Sequence, residues 1–218
     1  MIDVRSLKKT YRARTDLDVE ALRVEQGGTL ALAGANGSGK TTLLRILAGN
    51  LKPTEGTVKT AAPVLYLPQR TYAFRGTVLD NMLLGAKGKK EEALQLLEEL
   101  ELAPLRDKKA ASLSGGELQR LAFCRLLVRP CRLLLLDEPT SACDAAGAKL
   151  LLELLERYRQ ETGCTVILST HTPVVALQAA ERLLILNNGR PEADGDPKEI
   201  LCAPDSDWAR EFVAGWKI

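Results

Sequence analysis

The chain has 218 residues, of which 45% are hydrophobic and 27% are charged, a composition that is ordinary for a folded globular protein and excludes a disordered or collagen-like chain. Thirty Lys and Arg residues against 28 Asp and Glu residues leave a net charge of +2, which is too weak to attract nucleic acid by charge alone, so no nucleic-acid partner is predicted. No apolar run approaches the roughly 20 residues of a membrane-spanning helix, so no direct membrane insertion is expected.

The first residues and the cysteines indicate the cellular compartment of the protein. Residues 1–5 do not begin the charged-then-apolar pattern of a signal peptide. The cysteines are odd in number and scattered, without a C-x-x-C pair, which argues against a disulfide framework and against a zinc site. We expect them to be reduced and mostly buried: Cys124, Cys131, Cys143, Cys164 and Cys202. A cytoplasmic protein is therefore predicted.

The beginning of the chain predicts strands followed by a helix. Residues 2–4 and 17–24 favour β structure and flank the polar stretch 8–12, a pattern typical of antiparallel strands. Thr29–Ala33 is a short apolar run of the kind that forms a buried central strand. A glycine-rich loop follows, and residues 41–48 then have the apolar spacing of a helix.

The middle of the chain predicts helices, and the remainder alternates strands with helices. Residues 91–102 carry apolar side chains at helical spacing, and Pro104 is expected to end that helix. Residues 71–130 are predicted to be a helical subdomain inserted into a single domain, residues 1–218. The later predicted elements are strands at 132–136, 165–169 and 183–186 and a helix at 145–162. The predicted fold class is α/β, with an N-terminal antiparallel part and a mostly parallel sheet.

The glycine-rich loop matches the phosphate-binding pattern G-x-x-x-x-G-K-[ST], between a predicted strand and a predicted helix. Its glycines allow several backbone N–H groups to converge on a phosphate, and the helix N-terminus adds partial positive charge. Lys40 would reach the β- and γ-phosphates, and the Thr41 hydroxyl would bind Mg²⁺. The predicted nucleotide-binding residues of this loop are Gly34, Asn36, Gly37, Ser38, Gly39, Lys40, Thr41 and Thr42. The motif predicts a phosphate-loop NTPase core.

Two adjacent carboxylates follow the apolar strand at 132–136. In an open parallel sheet the ligand crevice lies at this end of the strands. Asp137 would hold the Mg²⁺ shell, and Glu138 would orient or deprotonate the attacking water. An acidic pair in this position is otherwise most often a helix cap, but the phosphate loop upstream favours catalysis.

Two further polar side chains follow predicted strands. His171, the single histidine, comes just after 165–169 and could contact the γ-phosphate or the water, since imidazole both donates and accepts hydrogen bonds. A lone histidine is otherwise commonly structural. Gln69 follows Tyr66-Leu67-Pro68 and could touch Mg²⁺ or water, or could equally be a solvated loop residue.

The segment Leu113-Ser114-Gly115-Gly116-Glu117 lies at the start of a predicted helix that runs to about residue 128. Free N–H groups at such a helix N-terminus can bind an anion. The same pattern is an ordinary helix N-cap, so both interpretations stay open.

These elements, in this order, resemble the nucleotide-binding subunits of ATP-binding cassette (ABC) transporters, and Leu113 to Glu117 looks like the family's signature motif. The resemblance implies that Gln69 is the Q-loop glutamine, in contact with Mg²⁺ and near the docking site of transmembrane subunits. It implies that His171 is the switch histidine and that Tyr11 stacks on adenine. Ser114, Gly115, Gly116 and the D-loop residue Asp144 would complete the site on a second cassette. Cys143, where leucine is usual, and Thr172, where an acidic residue is common, depart from the family pattern.

The resemblance implies an ATPase motor, with ATP and Mg²⁺ as ligands, in a homodimer or heterodimer of cassettes bound to transmembrane permease subunits. An importer is favoured, with the protein on the cytoplasmic face of the cell membrane. Residues 74–81 and 210–215 faintly resemble importers of oxyanions such as tungstate, or of polar amino acids. Two alternatives remain: a soluble cassette ATPase that acts on DNA or ribosomes, and a nucleotide-binding regulator without turnover.

Overall fold

A computed structural model describes residues 1–12 and 14–216. The predicted single domain, residues 1–218, also includes positions 13, 217 and 218, which lie outside the described residues. The strands are β1 (Ile2–Tyr11), β2 (Arg14–Val24), β3 (Thr29–Ala33), β4 (Glu55–Lys59), β5 (Val64–Leu67), β6 (Leu133–Asp137), β7 (Thr165–Ser169), β8 (Arg182–Asn187) and β9 (Arg190–Gly195). The helices are α1 (Lys40–Leu47), α2 (Val78–Met82), α3 (Lys90–Glu99), α4 (Gly115–Leu127), α5 (Ala145–Thr162), α6 (Pro173–Ala179), α7 (Pro197–Cys202) and α8 (Asp207–Gly215).

The strands form two sheets. β2, β1 and β4 make an antiparallel sheet, in that order. The larger sheet has the order β5-β6-β7-β3-β8-β9, in which all neighbours are parallel except the pair β8 and β9. This arrangement confirms the predicted α/β class, with its antiparallel N-terminal part and mostly parallel sheet.

The central strands are buried on both faces. Every residue of β3, β6 and β7 is buried, which explains their continuous apolar sequences. Side chains alternate across β3, so that Leu30 and Leu32 join one hydrophobic cluster and Ala31 and Ala33 join the other. The carboxyl ends of these three strands meet at one edge, which is where the site lies.

Helices occupy the chain between β5 and β6. They are α2, α3 and α4, with short 3₁₀ turns at Ala103–Leu105 and Ala110–Ser112. Phe123 of α4 and Met82 of α2 are completely buried against Leu97 of α3 in the same cluster. Within the described residues, no helix is both long and apolar enough to cross a bilayer.

Three predictions about elements are corrected by the structure. The polar stretch 8–12 does not separate two strands, because β1 continues to Tyr11, with Lys8 paired with Asp18. The helix predicted at 91–102 ends at Glu99, since Glu101 takes φ +57 and the Leu102 N–H bonds back to Leu97 O at 2.7 Å. Pro104 instead lies in the following 3₁₀ turn.

All five cysteines are free thiols, as predicted. Three are buried, whereas Cys143 is half-buried and Cys202 is exposed. The expectation that the cysteines are mostly buried and form no disulfide framework is therefore consistent with their positions.

Candidate nucleotide site

The phosphate loop connects β3 to α1 through backbone conformations that require glycine. Gly34 has φ +140, and a Cβ there would lie 2.2 Å from the Leu186 carbonyl oxygen. Gly39 has φ +104, and a Cβ there would meet the Asp16 carbonyl oxygen at 3.0 Å. Gly39 is also the N-cap of α1 and supplies no side-chain cap. The first N–H groups of this helix therefore remain available to a ligand.

The side chain of Lys40 extends back into the phosphate loop. Its Nζ donates to the Gly34 carbonyl at 2.8 Å and to the Ala35 carbonyl at 3.1 Å, and the residue is 6% exposed. Burial lowers the pKa of Lys40, and the nearby carboxylates of Glu138 and Asp137 oppose that shift in part. The ammonium group is thus desolvated and paired only with neutral carbonyls, which suits it to an anionic ligand.

One cavity of about 160 Å³ brings the predicted residues together. It is lined by Asn36, Gly37, Ser38, Gly39, Lys40, Thr41, Thr42, Gln69, Glu138 and His171, and also by Asp16. Within the described residues, the buried Ser38 Oγ has no hydrogen-bond partner. A polar cavity with a desolvated cation in its lining fits a phosphate group.

Glu138 and His171 form a close pair in this cavity. The His171 Nε2 lies 2.6 Å from the Glu138 Oε1, and the Glu138 side chain is only 13% exposed. Glu138 has φ +51, which a non-glycine residue rarely adopts. Its N–H donates to Ser169 Oγ at 2.9 Å, and its carbonyl accepts from Ser141 Oγ at 3.0 Å. Hydrogen bonds on both sides of the residue hold its unusual backbone in place.

Asp137 lies behind the cavity rather than in its lining. It is 1% exposed, and its Oδ1 accepts a hydrogen bond from Ser169 Oγ at 2.7 Å. The Tyr66 hydroxyl is 3.3 Å from the other carboxylate oxygen, and burial together with Asp137 raises the pKa of Tyr66 well above its ordinary value. Asp137 is therefore held in a fixed orientation close to Lys40.

The oxygen donors at the cavity have the chemistry of a magnesium site. Thr41 offers a hydroxyl and Gln69 an amide oxygen, and both residues line the cavity. No group of three or more His, Cys, Asp or Glu side chains suited to a metal occurs in the described part of the chain. A cation here would therefore have few protein ligands, as is usual for Mg²⁺ that shares its coordination with phosphates and water.

The remaining predicted residues lie apart from this cavity. Ser114 caps α4 in a capping box with Glu117, in which Ser114 Oγ accepts from Glu117 N at 3.3 Å. Gly115 is exposed, and a Cβ on Gly116 would meet the Ala142 carbonyl oxygen at 3.0 Å. Asp144 caps α5 by accepting from Gly147 N at 2.8 Å. The signature segment and Asp144 thus form a second exposed cluster, outside the cavity of their own chain.

Tyr11 also lies outside the cavity. It is the last residue of β1, its side chain is 47% exposed, and the Lys9 ammonium lies 4.9 Å from its ring centre.

Three residues of the site carry no sequence signal that we could interpret. Asp16 accepts a hydrogen bond from Thr42 Oγ1 at 2.6 Å. Ser169 links Asp137 to the Glu138 backbone. Gln119, on α4, donates to the carbonyls of Glu138 and Pro139. Each acts through a contact between segments that are distant in sequence.

Comparisons with known proteins identify the family. A family model described as ABC transporter matches residues 17–141. The aliphatic sulfonates import ATP-binding protein of Yersinia pestis is 38% identical over 200 residues, which cover 87% of this chain and 73% of that protein. The spermidine/putrescine import ATP-binding protein of Mycoplasma mycoides is 31% identical over 237 residues, covering 100% of this chain and 68% of that protein.

A solved structure supports the same assignment. It is a dimeric ATP-binding cassette in a post-hydrolysis state, bound to ADP and Pi, and it matches with 27% identity and a TM-score of 0.82. The match covers 90% of this chain and 99% of that one. This chain belongs to the ABC transporter family and is one of its nucleotide-binding, ATP-hydrolysing cassettes.

Proposed function

We propose that this chain is the ATP-hydrolysing motor subunit of an ABC importer, which works in a pair of cassettes on separate transmembrane subunits. The observation that carries the proposal is the Glu138–His171 pair, 2.6 Å apart, in the cavity that contains Lys40. A regulator without turnover would not need this pair. Relatives that are import ATP-binding proteins support transport over action on DNA or ribosomes.

The phosphates of ATP bind at the phosphate loop. Lys40 exchanges its bonds to two loop carbonyls for bonds to the β- and γ-phosphates. Backbone N–H groups at residues 36–42 and the N-terminus of α1 stabilise the remaining negative charge. Tyr11, with an exposed ring, stacks on the adenine.

Thr41 and Gln69 would hold Mg²⁺ directly, and Asp137 would act from behind them through a bound water. When bound, Mg²⁺ neutralises charge on the β- and γ-phosphate oxygens. Gln69 is exposed and neutral, so it can leave the cavity without breaking an ion pair. This freedom suits a residue that reports the nucleotide state to a partner.

Hydrolysis uses the Glu138 and His171 pair. The Glu138 carboxylate accepts a proton from the attacking water, and the His171 imidazole, in contact with it, orients the water and the γ-phosphate. Because the Glu138 side chain is largely excluded from solvent, few competing waters reach its carboxylate.

The second exposed cluster belongs to the site of a partner cassette. Ser114, Gly115 and Gly116 present the N-terminus of α4 to solvent, and Asp144 lies beside them. We propose that these residues close on ATP that is bound to the phosphate loop of a second chain, either identical or different. The dimeric cassette bound to ADP and Pi supports this pairing.

The segment 71–130 is proposed as a helical subdomain within a single ATPase domain. Beside Gln69 it forms a groove of about 340 Å³, lined in part by Tyr72, Phe74, Leu84 and Arg125. Tyr72 and Phe74 are 54% and 42% exposed, which suits a contact with a permease. Docking there would hold the protein on the cytoplasmic face of the membrane.

The first test is the mass of the Glu138→Gln protein, measured by size-exclusion chromatography with light scattering. A variant that binds ATP but does not hydrolyse it should shift from monomer to dimer when ATP is added, and its ATPase rate should fall by at least about a hundredfold. Glu153→Gln, an exposed change on α5, is the matched control and should hydrolyse ATP normally. A wild-type rate in Glu138→Gln would overturn the proposed base. A variant that binds ATP and stays monomeric would require either a different chain as the partner cassette or a membrane subunit for pairing.

A further inference from the structure

We infer that Gln119 is a positioning residue for the reaction, through which the orientation of α4 controls the placement of Glu138. The inference rests on the proposed function, since it concerns the proposed base. Gln119 is 1% exposed and touches neither the cavity nor a bound group. It therefore acts through Glu138 and not on the nucleotide.

The amide of Gln119 satisfies three partners. Its Nε2 donates to the Pro139 carbonyl at 3.0 Å and to the Glu138 carbonyl at 3.3 Å. Its Oε1 accepts from Thr71 Oγ1 at 3.3 Å. Both amide hydrogens have an acceptor and the oxygen has a donor, so no other neutral side chain of this length could replace the group.

These bonds join three segments that the proposed function treats separately. Gln119 belongs to α4, whose N-terminus at Ser114 faces the partner cassette. Thr71 lies two positions after Gln69, and Glu138 carries the base. A rotation of α4 would move the amide and change the bonds to the Glu138 carbonyl.

Glu138 needs such support because of its backbone. At φ +51 the residue has an unfavourable conformation, and without external bonds the peptide would relax. Relaxation about this residue would turn the side chain away from His171, which it now meets at 2.6 Å. Loss of the Gln119 amide would leave Ser141 as the remaining support of the Glu138 carbonyl among the described residues, so the base would be held less firmly while the phosphate loop stays intact.

The test is the kinetics of Gln119→Met in the full-length protein. Methionine has similar volume but no donor and only a weak sulfur acceptor. We expect kcat to fall by at least about tenfold, while the KM for ATP and the affinity measured by calorimetry change by less than about twofold. Gln95→Met, an exposed change on α3, is the control and should leave all three values unchanged.

A second measurement separates positioning from simple destabilisation. In a Glu138→Gln background the base is already absent, so adding Gln119→Met should not slow single-turnover hydrolysis further. Fully additive losses, or an unchanged kcat in Gln119→Met, would overturn the inference and leave the proposed function standing. A Glu138→Gln protein with the wild-type rate would instead overturn the proposed function.

If Gln119→Met does not fold, Thr71→Val and Thr71→Ser carry the same test. Valine removes the hydroxyl that bonds to Gln119 Oε1, whereas serine retains it. We expect Thr71→Val to lower kcat several-fold without changing the affinity for ATP, and Thr71→Ser to restore it. Equal kcat in both variants and the wild type would contradict the inference.

Discussion

At the residue scale, the site combines groups that would be unfavourable if they stood alone. Glu138 has a left-handed backbone, and Lys40 is a desolvated cation. Each costs stability, about 1–3 kcal/mol for the backbone conformation. Ser169 at the end of β7 accepts a hydrogen bond from the Glu138 N–H and Ser141 donates one to the Glu138 carbonyl, whereas two loop carbonyls accept from Lys40. ATP would relieve the second cost, because phosphate oxygens pair better with an ammonium group than neutral carbonyls do.

Lys40→Ala should therefore abolish tight nucleotide binding. Charge-assisted bonds to phosphate are lost, and we expect the affinity for ATP to fall by about 3 kcal/mol, or roughly a hundredfold. Isothermal titration calorimetry measures this directly. Lys52→Ala removes an exposed cation elsewhere and serves as the control. Equal affinity in wild type and Lys40→Ala would contradict the assignment of the phosphate loop.

The lowered pKa of Lys40 predicts how ATP affinity depends on pH. Phosphates favour the ammonium form, so the pKa of Lys40 is higher in the complex than in the empty site, and binding takes up a proton between the two values. Affinity should thus fall as pH rises through the pKa of the empty site, which lies below the ordinary 10.5. Titrations between about pH 8 and pH 10 measure this slope. Lys40→Arg stays charged across that pH range, so its ATP affinity should lack the pH dependence that Lys40 contributes.

At the element scale, local patterns predicted the buried central strands and missed two of the edge strands, β4 and β9. Ala145–Thr162 and Thr165–Ser169 have the bounds that their apolar spacing predicts. β4 and β9 are edge strands whose residues are exposed or only partly buried, so no hydrophobic alternation marks them. Hydrophobic alternation arises where a strand buries one face, and β4 and β9 bury too little of their surface to show it.

Local sequence patterns also predicted only part of the candidate site. The phosphate loop and the carboxylates after β6 are local motifs, and sequence alone could indicate them. Asp16 approaches Thr42 from β2, and Gln119 approaches Glu138 from α4. These contacts depend on how separate elements pack, which no local pattern records.

Aromatic rings attach the helix α8 close to His171. Trp208 stacks on Phe212 at 5.2 Å between ring centres, and Trp216 lies 5.4 Å from Phe212. Trp216 is 8% exposed, and its indole N–H donates to the His171 carbonyl. The aromatic cluster therefore anchors the end of α8 to the loop after β7.

Trp216→Ala should lower the free energy of unfolding by about 3 kcal/mol, because a large buried ring and a hydrogen bond are lost. Trp216→Phe keeps most of the ring contact and should lose only about 1 kcal/mol. Urea unfolding measures both values. Tyr72→Ala removes a ring that is 54% exposed and should stay within roughly 0.5 kcal/mol of the wild type. Equal stability of Trp216→Ala and the wild type would show that α8 does not depend on this anchor.

At the scale of the whole molecule, the two groups of residues that make up the proposed ATP site lie on different parts of the surface. The phosphate loop, Gln69, Glu138 and His171 share one cavity, whereas Ser114, Gly115 and Asp144 are exposed elsewhere. In the proposed function, the signature segment of one chain therefore closes on the nucleotide of another chain. Two chains that face each other can complete two sites at once, because a two-fold interface places each surface against its counterpart.

Mixing two inactive variants tests this geometry. Lys40→Ala removes the phosphate contact, and Ser114→Arg places a bulky charge at the N-terminus of α4, so each homodimer should be inactive. A mixed dimer contains one site in which both halves are intact, and its other site carries both defects. If the sites work independently, an equal mixture should recover about a quarter of the wild-type ATPase rate, since half of the dimers are mixed and each has one good site. Absence of any recovery, when native mass spectrometry detects mixed dimers, would contradict independent sites that are each completed across the interface.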